Sequence, residues 1–292
     1  MRIALIGAAF SAGGADPGCR HGPQAFYEQE FRGLKRRLPG RFRWAGMIRE
    51  RSHLPLLHPA GVAGLADSSH RLAAAVARQR QGAVLPVVIG GDHSCAIGTW
   101  AGIAAGSRRP LGLLWIDAHL DSHTPETSAS HRLHGMPLAV LLGEGDPELL
   151  AVGRHTPLID PRYCAVIGVR SFERGEPERL RRLGVRFHTR HEIRRRGLGR
   201  VLNEAWRHVA AAPGGFGVSL DLDVLDPLLA PGVSVPERRG LNPRKLARLL
   251  RQQPAKHRLR GLELAELNPR RDPQGQTRRL LPMLLASLLQ SR

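Results

Sequence analysis

Carboxylates and imidazoles gather in four short segments of this 292-residue chain: "GGDHS" (90–94), "DAHLD" (117–121), "SLDLDVLDP" (219–227) and "ELAELNP" (263–269). These segments hold Asp92, Asp117, Asp121, Asp221, Asp223, Asp226, Glu263 and Glu266, eight of the chain's 25 acids. Side chains at i, i+2 and i+4 of an extended chain share one face, so Asp117, His119 and Asp121 are expected to point together, as are Asp221 and Asp223. With His93 this makes four carboxylates and two imidazoles aimed at one pocket, and so many anions cannot stay ionised side by side without a multivalent counter-charge. A pair of divalent cations supplies it. Carboxylate and imidazole donors without thiolate favour manganese or another borderline ion.

Such a pocket needs elements that end together. Short apolar runs read as buried parallel strands: "IALIG" (3–7), "AVLPVVIG" (83–90), "LGLLWID" (111–117), "CAVIGV" (164–169), "FGVSLDLD" (216–223) and "GLELAEL" (261–267), with Pro86 weakening the second. Helical periodicity marks "SSHRLAAAVARQRQ", "EPERLRRLG", "VLNEAWRHVAAA", "PRKLARLLRQQ" and "RRLLPMLLASLLQ". The alternation predicts an α/β layered fold with a parallel sheet, and open sheets of this kind place ligands at the carboxyl ends of their strands, where the four acidic segments fall. No composition break, repeat or Gly/Ser linker divides the chain, so residues 1–292 read as a single catalytic domain.

Composition narrows the partners. Lys and Arg outnumber Asp and Glu by 44 to 25, a formal +19. The basic residues are spread through "GLKRRLPGRFRW", "RLRRLGVRFHTRHEIRRRGLGR" and "RLLRQQPAKHRLR" without an aromatic stacking platform, which reads as solvated surface and not as a nucleic-acid interface. Cys19, Cys95 and Cys164 are odd in number, far apart and free of any CxxC, so a reducing compartment is expected and Cys95 reads as a small buried residue. No run reaches the roughly 18 apolar residues of a membrane span, and the start lacks a secretory h-region. A cytoplasmic protein without membrane or nucleic-acid partners is the expectation.

The four ordered segments resemble the metal motifs of the ureohydrolase family, which includes arginase, agmatinase and formimidoylglutamase. "IGAAFSAGG", "GGDHSCAIGTWAG" and "HGMP" point to the arginase branch. The resemblance covers almost the whole chain. It implies a three-layer αβα fold around a central, mostly parallel sheet of about eight strands, and two Mn2+ per subunit. One ion would be held by His93, Asp117, Asp121 and Asp221, the other by Asp117, His119, Asp221 and Asp223, with Asp117 and Asp221 bridging. It further implies that Glu266 pairs with a substrate guanidinium, that His134 of "LHGMP" shuttles a proton, and that Asp121 accepts a hydrogen bond from the nucleophile; Glu263 and Asp226 read as structural. A homo-oligomer, trimer or hexamer, is also implied.

Resonance makes the guanidinium carbon a poor electrophile, whereas a water bridging two divalent ions can have its pKa lowered towards ~7 and attack as hydroxide. The expected reaction is cleavage of L-arginine to L-ornithine and urea. In the loop "DSHTPETSASHRLHG", Ser130 is retained from the family's carboxylate-binding pattern, while His123, His131 and Arg132 stand where asparagines or glycine are usual. His123, Ser130 and Arg132 are the candidates for the substrate carboxylate. In "VRSFERGE", Glu173 and Glu176 are the candidates for the ammonium, and Ser171 replaces an expected Asp. These departures keep open a related substrate: agmatine, a guanidino acid, hydroxyarginine or formimidoylglutamate. A basic polyanion-binding protein on an idle fold is the reading from another class.

Overall fold

The described residues include eight strands: β1 (Arg2–Ala9), β2 (Arg41–Arg49), β3 (Val84–Gly90), β4 (Gly112–Ile116), β5 (Cys164–Val169), β6 (Arg186–Thr189), β7 (Phe216–Asp221) and β8 (Leu259–Ala265). In the computed structural model, which describes residues 2–14, 16–38, 41–50, 59–81 and 84–290, they form one sheet in the order β2-β1-β3-β8-β7-β4-β5-β6. Every neighbouring pair is parallel.

Among the described residues, eleven helices cover the two faces. They are α1 (Gly22–Gln29), α2 (Phe31–Arg37), α3 (Pro59–Gln81), α4 (Ala96–Ala104), α5 (Pro137–Leu141), α6 (Pro147–Leu150), α7 (Glu176–Leu183), α8 (Arg190–Arg196), α9 (Leu198–Ala210), α10 (Pro243–Arg251) and α11 (Leu281–Leu289). Strand side chains alternate between two apolar cores, as the pleat requires. Leu114 and Ile116 of β4 join α1, α2 and α8 to α11 on one face. Leu113 and Trp115 join α3 to α7 on the other. The result is the expected three-layer αβα arrangement.

Two strands escaped the sequence reading. β2 and β6 are the sheet's edges, and both lie in Arg-rich stretches read as solvated surface. An edge strand needs only one paired side, so the apolar run that marks a buried strand is absent there. Pro86 is tolerated in the interior strand β3 because it pairs with Ala4 of β1 while the β3–β8 register begins one residue later, at Val87. Ala83, placed at the start of that strand from sequence, lies outside the described residues. Among the described residues, no helix is long and apolar enough to cross a membrane.

Candidate metal centre and substrate cavity

The four acidic segments follow β3, β8, β7 and β4, which are consecutive in the sheet. Their carboxyl ends therefore form one rim. Gly91 lets β3 end against β1, since a Cβ there would stand 1.9 Å from the Phe10 carbonyl oxygen.

The convergence of the aspartates is as expected, but extended alternation is not its cause. β4 stops at Ile116 and β7 at Asp221. Beyond them the chain turns, with Asp117 Oδ1 accepting the His119 N–H at 2.7 Å and Asp221 Oδ1 accepting the Asp223 N–H at 2.7 Å. Asp side chains of this kind fold the backbone back on itself. Asp121 completes the loop with a left-handed φ of 48° and Glu266 has φ 69°, conformations rare for non-glycine residues and concentrated at functional sites.

His93 Nδ1 lies 3.1 Å from Asp117 Oδ2, 3.1 Å from Asp121 Oδ2 and 3.0 Å from Asp221 Oδ2. It is a buried nitrogen with no hydrogen-bond partner. Its other nitrogen, Nε2, is 2.8 Å from Ser219 Oγ, and Ser219 donates to Glu263 Oε2. The ring also stacks on Trp115, whose indole N–H donates to Asp117 Oδ2. A second focus lies alongside, where His119 Nδ1 is 2.9 Å from Asp223 Oδ2 and 3.5 Å from Asp117 Oδ1. Asp117 thus offers one oxygen to each histidine. His93, Asp117 and Asp221 form one group able to hold a metal ion, and Asp117, His119 and Asp223 another. An orphaned buried imidazole nitrogen facing three carboxylate oxygens fits a cation and little else.

Electrostatics agree. Burial, joined by the charge of Asp117, pushes the Asp121 carboxyl up to about 7. Burial and the neighbouring Asp223 and Asp117 raise Asp221 well above the usual carboxylate range. Burial opposes the charging of His93, but Asp117, Asp121 and Asp221 outweigh it and raise its pKa well above the usual imidazole value. Without added positive charge these groups must share protons.

A cavity of about 280 Å3 opens over the rim, lined by His93, His119, Asp121, Asp221, Asp223 and Glu266 at its floor. His134 flanks it, with Nδ1 3.5 Å from Glu266 Oε1 and its backbone N–H on the Gly13 carbonyl. Although burial acts to lower the His134 pKa, Glu266 and then Asp92 raise it. Glu266 Oε1 also accepts the His93 N–H at 2.9 Å, and Oε2 takes the Cys19 thiol at 3.2 Å.

His123, Ser130, Arg132, Glu173 and Glu176 line the outer cavity. His123 does not stand beside Arg132 as a free donor for a carboxylate; its Nε2 pairs with Glu176 at 3.2 Å and Glu173 at 3.5 Å. Glu176 is buried and accepts the backbone N–H groups of Ser122 and Glu173, so it also holds this loop together. Arg132 and Ser130 are exposed at the mouth.

Some residues that shape the site were not singled out from sequence. Ser219 precedes Asp221 by two positions in β7 and shares its face, a spacing that could have flagged it. Glu263, read as structural, is buried and takes Ser219 and the Trp100 indole N–H, which ties it to His93. Asp226 accepts the Leu228 N–H in a turn, and Cys95 is fully buried as expected. No sequence signal pointed to Glu237, which lines the cavity beside His119.

Comparison with known proteins fits this architecture. The family model "Arginase family" matches residues 1–290. The arginase of Bacillus caldovelox is 38% identical over 271 residues, 86% of this chain and 90% of that protein. The arginase of Agrobacterium fabrum is 32% identical, covering 99% of this chain and 90% of that one. The crystal structure of the Bacillus caldovelox arginase superposes with a TM-score of 0.91 at 36% identity, over 100% of this chain and 99% of that one. A match along nearly the whole length, in sequence and in the path of the backbone, leads to one conclusion: the chain belongs to the arginase family.

Proposed function

We propose that this protein hydrolyses the guanidinium group of L-arginine to give L-ornithine and urea. The observation that carries the reading is His93 Nδ1, orphaned and facing Asp117, Asp121 and Asp221, at the floor of a cavity that also holds Glu266 and His134. His93, Asp117, Asp121 and Asp221 would hold one divalent ion, and Asp117, His119, Asp221 and Asp223 a second, with manganese favoured by oxygen and imidazole donors without thiolate. Two such ions supply a water acidic enough to act as nucleophile near neutral pH.

The chain's own groups do the rest. Glu266, buried and already held by the His93 N–H, presents a carboxylate to a planar cation and fixes its orientation. Asp121 accepts a proton from the nucleophile. As the water oxygen bonds to the guanidinium carbon Cζ, the bond from that carbon to Nε breaks, and His134, kept protonated beside Glu266, donates to the departing nitrogen, which becomes the δ-amino group of ornithine. Arg132 and Ser130 would take the carboxylate, with Glu173 and Glu176 facing the ammonium.

One observation favours a second reading. His123 already occupies Glu173 and Glu176, which suits a guanidino acid bearing a carboxylate and no ammonium. A panel of L-arginine, agmatine, guanidino acids and formimidoylglutamate, read by urea or formamide release from manganese-loaded enzyme, separates them. Hydrolysis of arginine ahead of the rest is expected; turnover of agmatine with none of arginine would overturn the proposal. We further propose a single catalytic domain over 1–292, acting in the cytoplasm as a trimer or hexamer.

A further inference from the structure

Each of the two candidate ligand histidines turns one nitrogen towards the aspartates and the other away, and what lies behind them differs. Behind His93 stand Ser219 and Glu263, fully buried. Behind His119 stands Glu237, with Oε1 3.6 Å from Nε2, at the open side of the cavity. The loop carrying Glu237 is clamped from below by Arg170. Its guanidinium donates to the carbonyl oxygens of Asp223 at 2.6 Å, Glu237 at 3.1 Å and Arg238 at 3.1 Å. The backbone N–H of Arg170 binds the Ala118 carbonyl at 2.8 Å. One arginine thus locks the loops of His119, Asp223 and Glu237 into a common frame.

We infer that Glu237 is a positioning residue for His119, and that it tunes retention of the ion which Asp117, His119 and Asp223 would share. A neutral imidazole has one N–H and one lone pair. At 3.6 Å the Glu237 carboxylate acts on the ring by its charge and not by a hydrogen bond. A negative charge on that side favours the proton on Nε2, which leaves the lone pair on Nδ1 facing Asp223 and Asp117 and raises ligand basicity. His119 needs this more than His93 does, because its side chain is 24% exposed against 1%, so water competes for it, and among the described residues no tryptophan stacks on it as Trp115 does on His93. The Glu237 side chain is itself 30% exposed and can follow the ring as the site fills.

This inference rests on the two-ion reading, and the experiment keeps the two apart. Manganese is titrated into metal-free full-length wild type, Glu237→Gln and Glu237→Ala, with bound and free ion counted by electron paramagnetic resonance. Wild type is expected to take two ions. Both variants should keep one class of site unchanged and bind the other about 10- to 100-fold more weakly, the usual effect of removing a partner behind a ligand histidine. Glu237→Gln preserves side-chain shape, so it decides the matter if the alanine variant folds poorly. Two ions bound by wild type, with both affinities unaltered in the variants or both weakened by the same factor, would overturn the role of Glu237 alone. Failure of wild type to bind a pair would remove it together with the proposed function.

Discussion

Ser219 stands between His93 and Glu263, 2.8 Å from the ring Nε2 and donating to the Glu263 carboxylate at 2.8 Å. The hydroxyl sets which nitrogen of His93 faces the aspartates. Ser219→Ala leaves the His93 Nε2 unpaired and Glu263 short of a donor, both in the interior. Leaving a buried polar group unsatisfied costs about 1–3 kcal/mol, and chemical denaturation of the metal-free variant should show a loss of that size. Manganese affinity should fall about 10- to 100-fold. Wild-type values for both quantities would mean the relay is idle.

Glu266 offers the one carboxylate on the cavity floor that is tied to His134 instead of to the aspartate cluster. Glu266→Gln keeps the shape and removes the charge that a guanidinium needs. Breaking a buried ion pair costs about 3–5 kcal/mol, so kcat/KM for arginine should drop by roughly two to four orders of magnitude. Bound manganese, measured in parallel, should not change. Loss of metal with the activity would reassign Glu266 to the ion site.

His123 makes the affinity for an ammonium-bearing substrate depend on pH. Burial works against its charge, but Glu176 and then Glu173 raise its pKa above the usual imidazole value. Its contribution to stability is present below the unfolded imidazole range and is lost as pH rises through the higher folded value. Over the same rise the imidazolium discharges and frees the two acids, so KM for arginine should fall. His123→Asn should flatten that fall and lower KM at pH 6.5 by about fivefold, the worth of ~1 kcal/mol for a partly exposed pair. A KM profile between pH 6 and 9 that is unchanged in the variant would separate His123 from the ammonium site.

Glu50 should make the metal-free protein less stable as pH rises. Its carboxylate accepts the backbone N–H groups of Ser11 and Ala12, in the loop whose Gly13 carbonyl holds His134. Burial first, and the charge of Asp92 second, push Glu50 from 4.5 up to about 7. The folded state therefore holds a proton that the unfolded state has released, and stability declines across that window before levelling off above it. A shift of this size corresponds to roughly 3 kcal/mol. Urea denaturation at pH 5 and pH 8 should show Glu50→Gln losing less stability than wild type between the two. Equal losses would mean that Glu50 ionises without penalty.

The candidate site was legible because acids are scarce in an arginine-rich chain and the few clusters fall where apolar runs end. Asp117, His119, Asp121, Asp221 and Asp223 could be named without a structure. How they converge could not, since turns that follow the strands, and a left-handed Asp121, replace the straight extension that spacing suggests. Strands β2 and β6 were hidden because alternating arginines on an edge look like any wet surface. Glu237 and Arg170 were out of reach for another reason. Their roles exist only after loops from β4, β5 and β7 meet, and neither residue differs locally from the many solvated charges around it.

The position of β8 has a consequence for how the protein comes into being. Of the described strands it is the last to be synthesised, yet it lies between β3 and β7, so until it slots in, the His93 turn and the aspartate turns sit on opposite banks of an open seam. A nascent chain cannot bring His93 to the aspartates early. Completion of the His93 group has to wait for the keystone, and a product truncated before Leu259 would carry all six candidate ligands with His93 stranded from the rest.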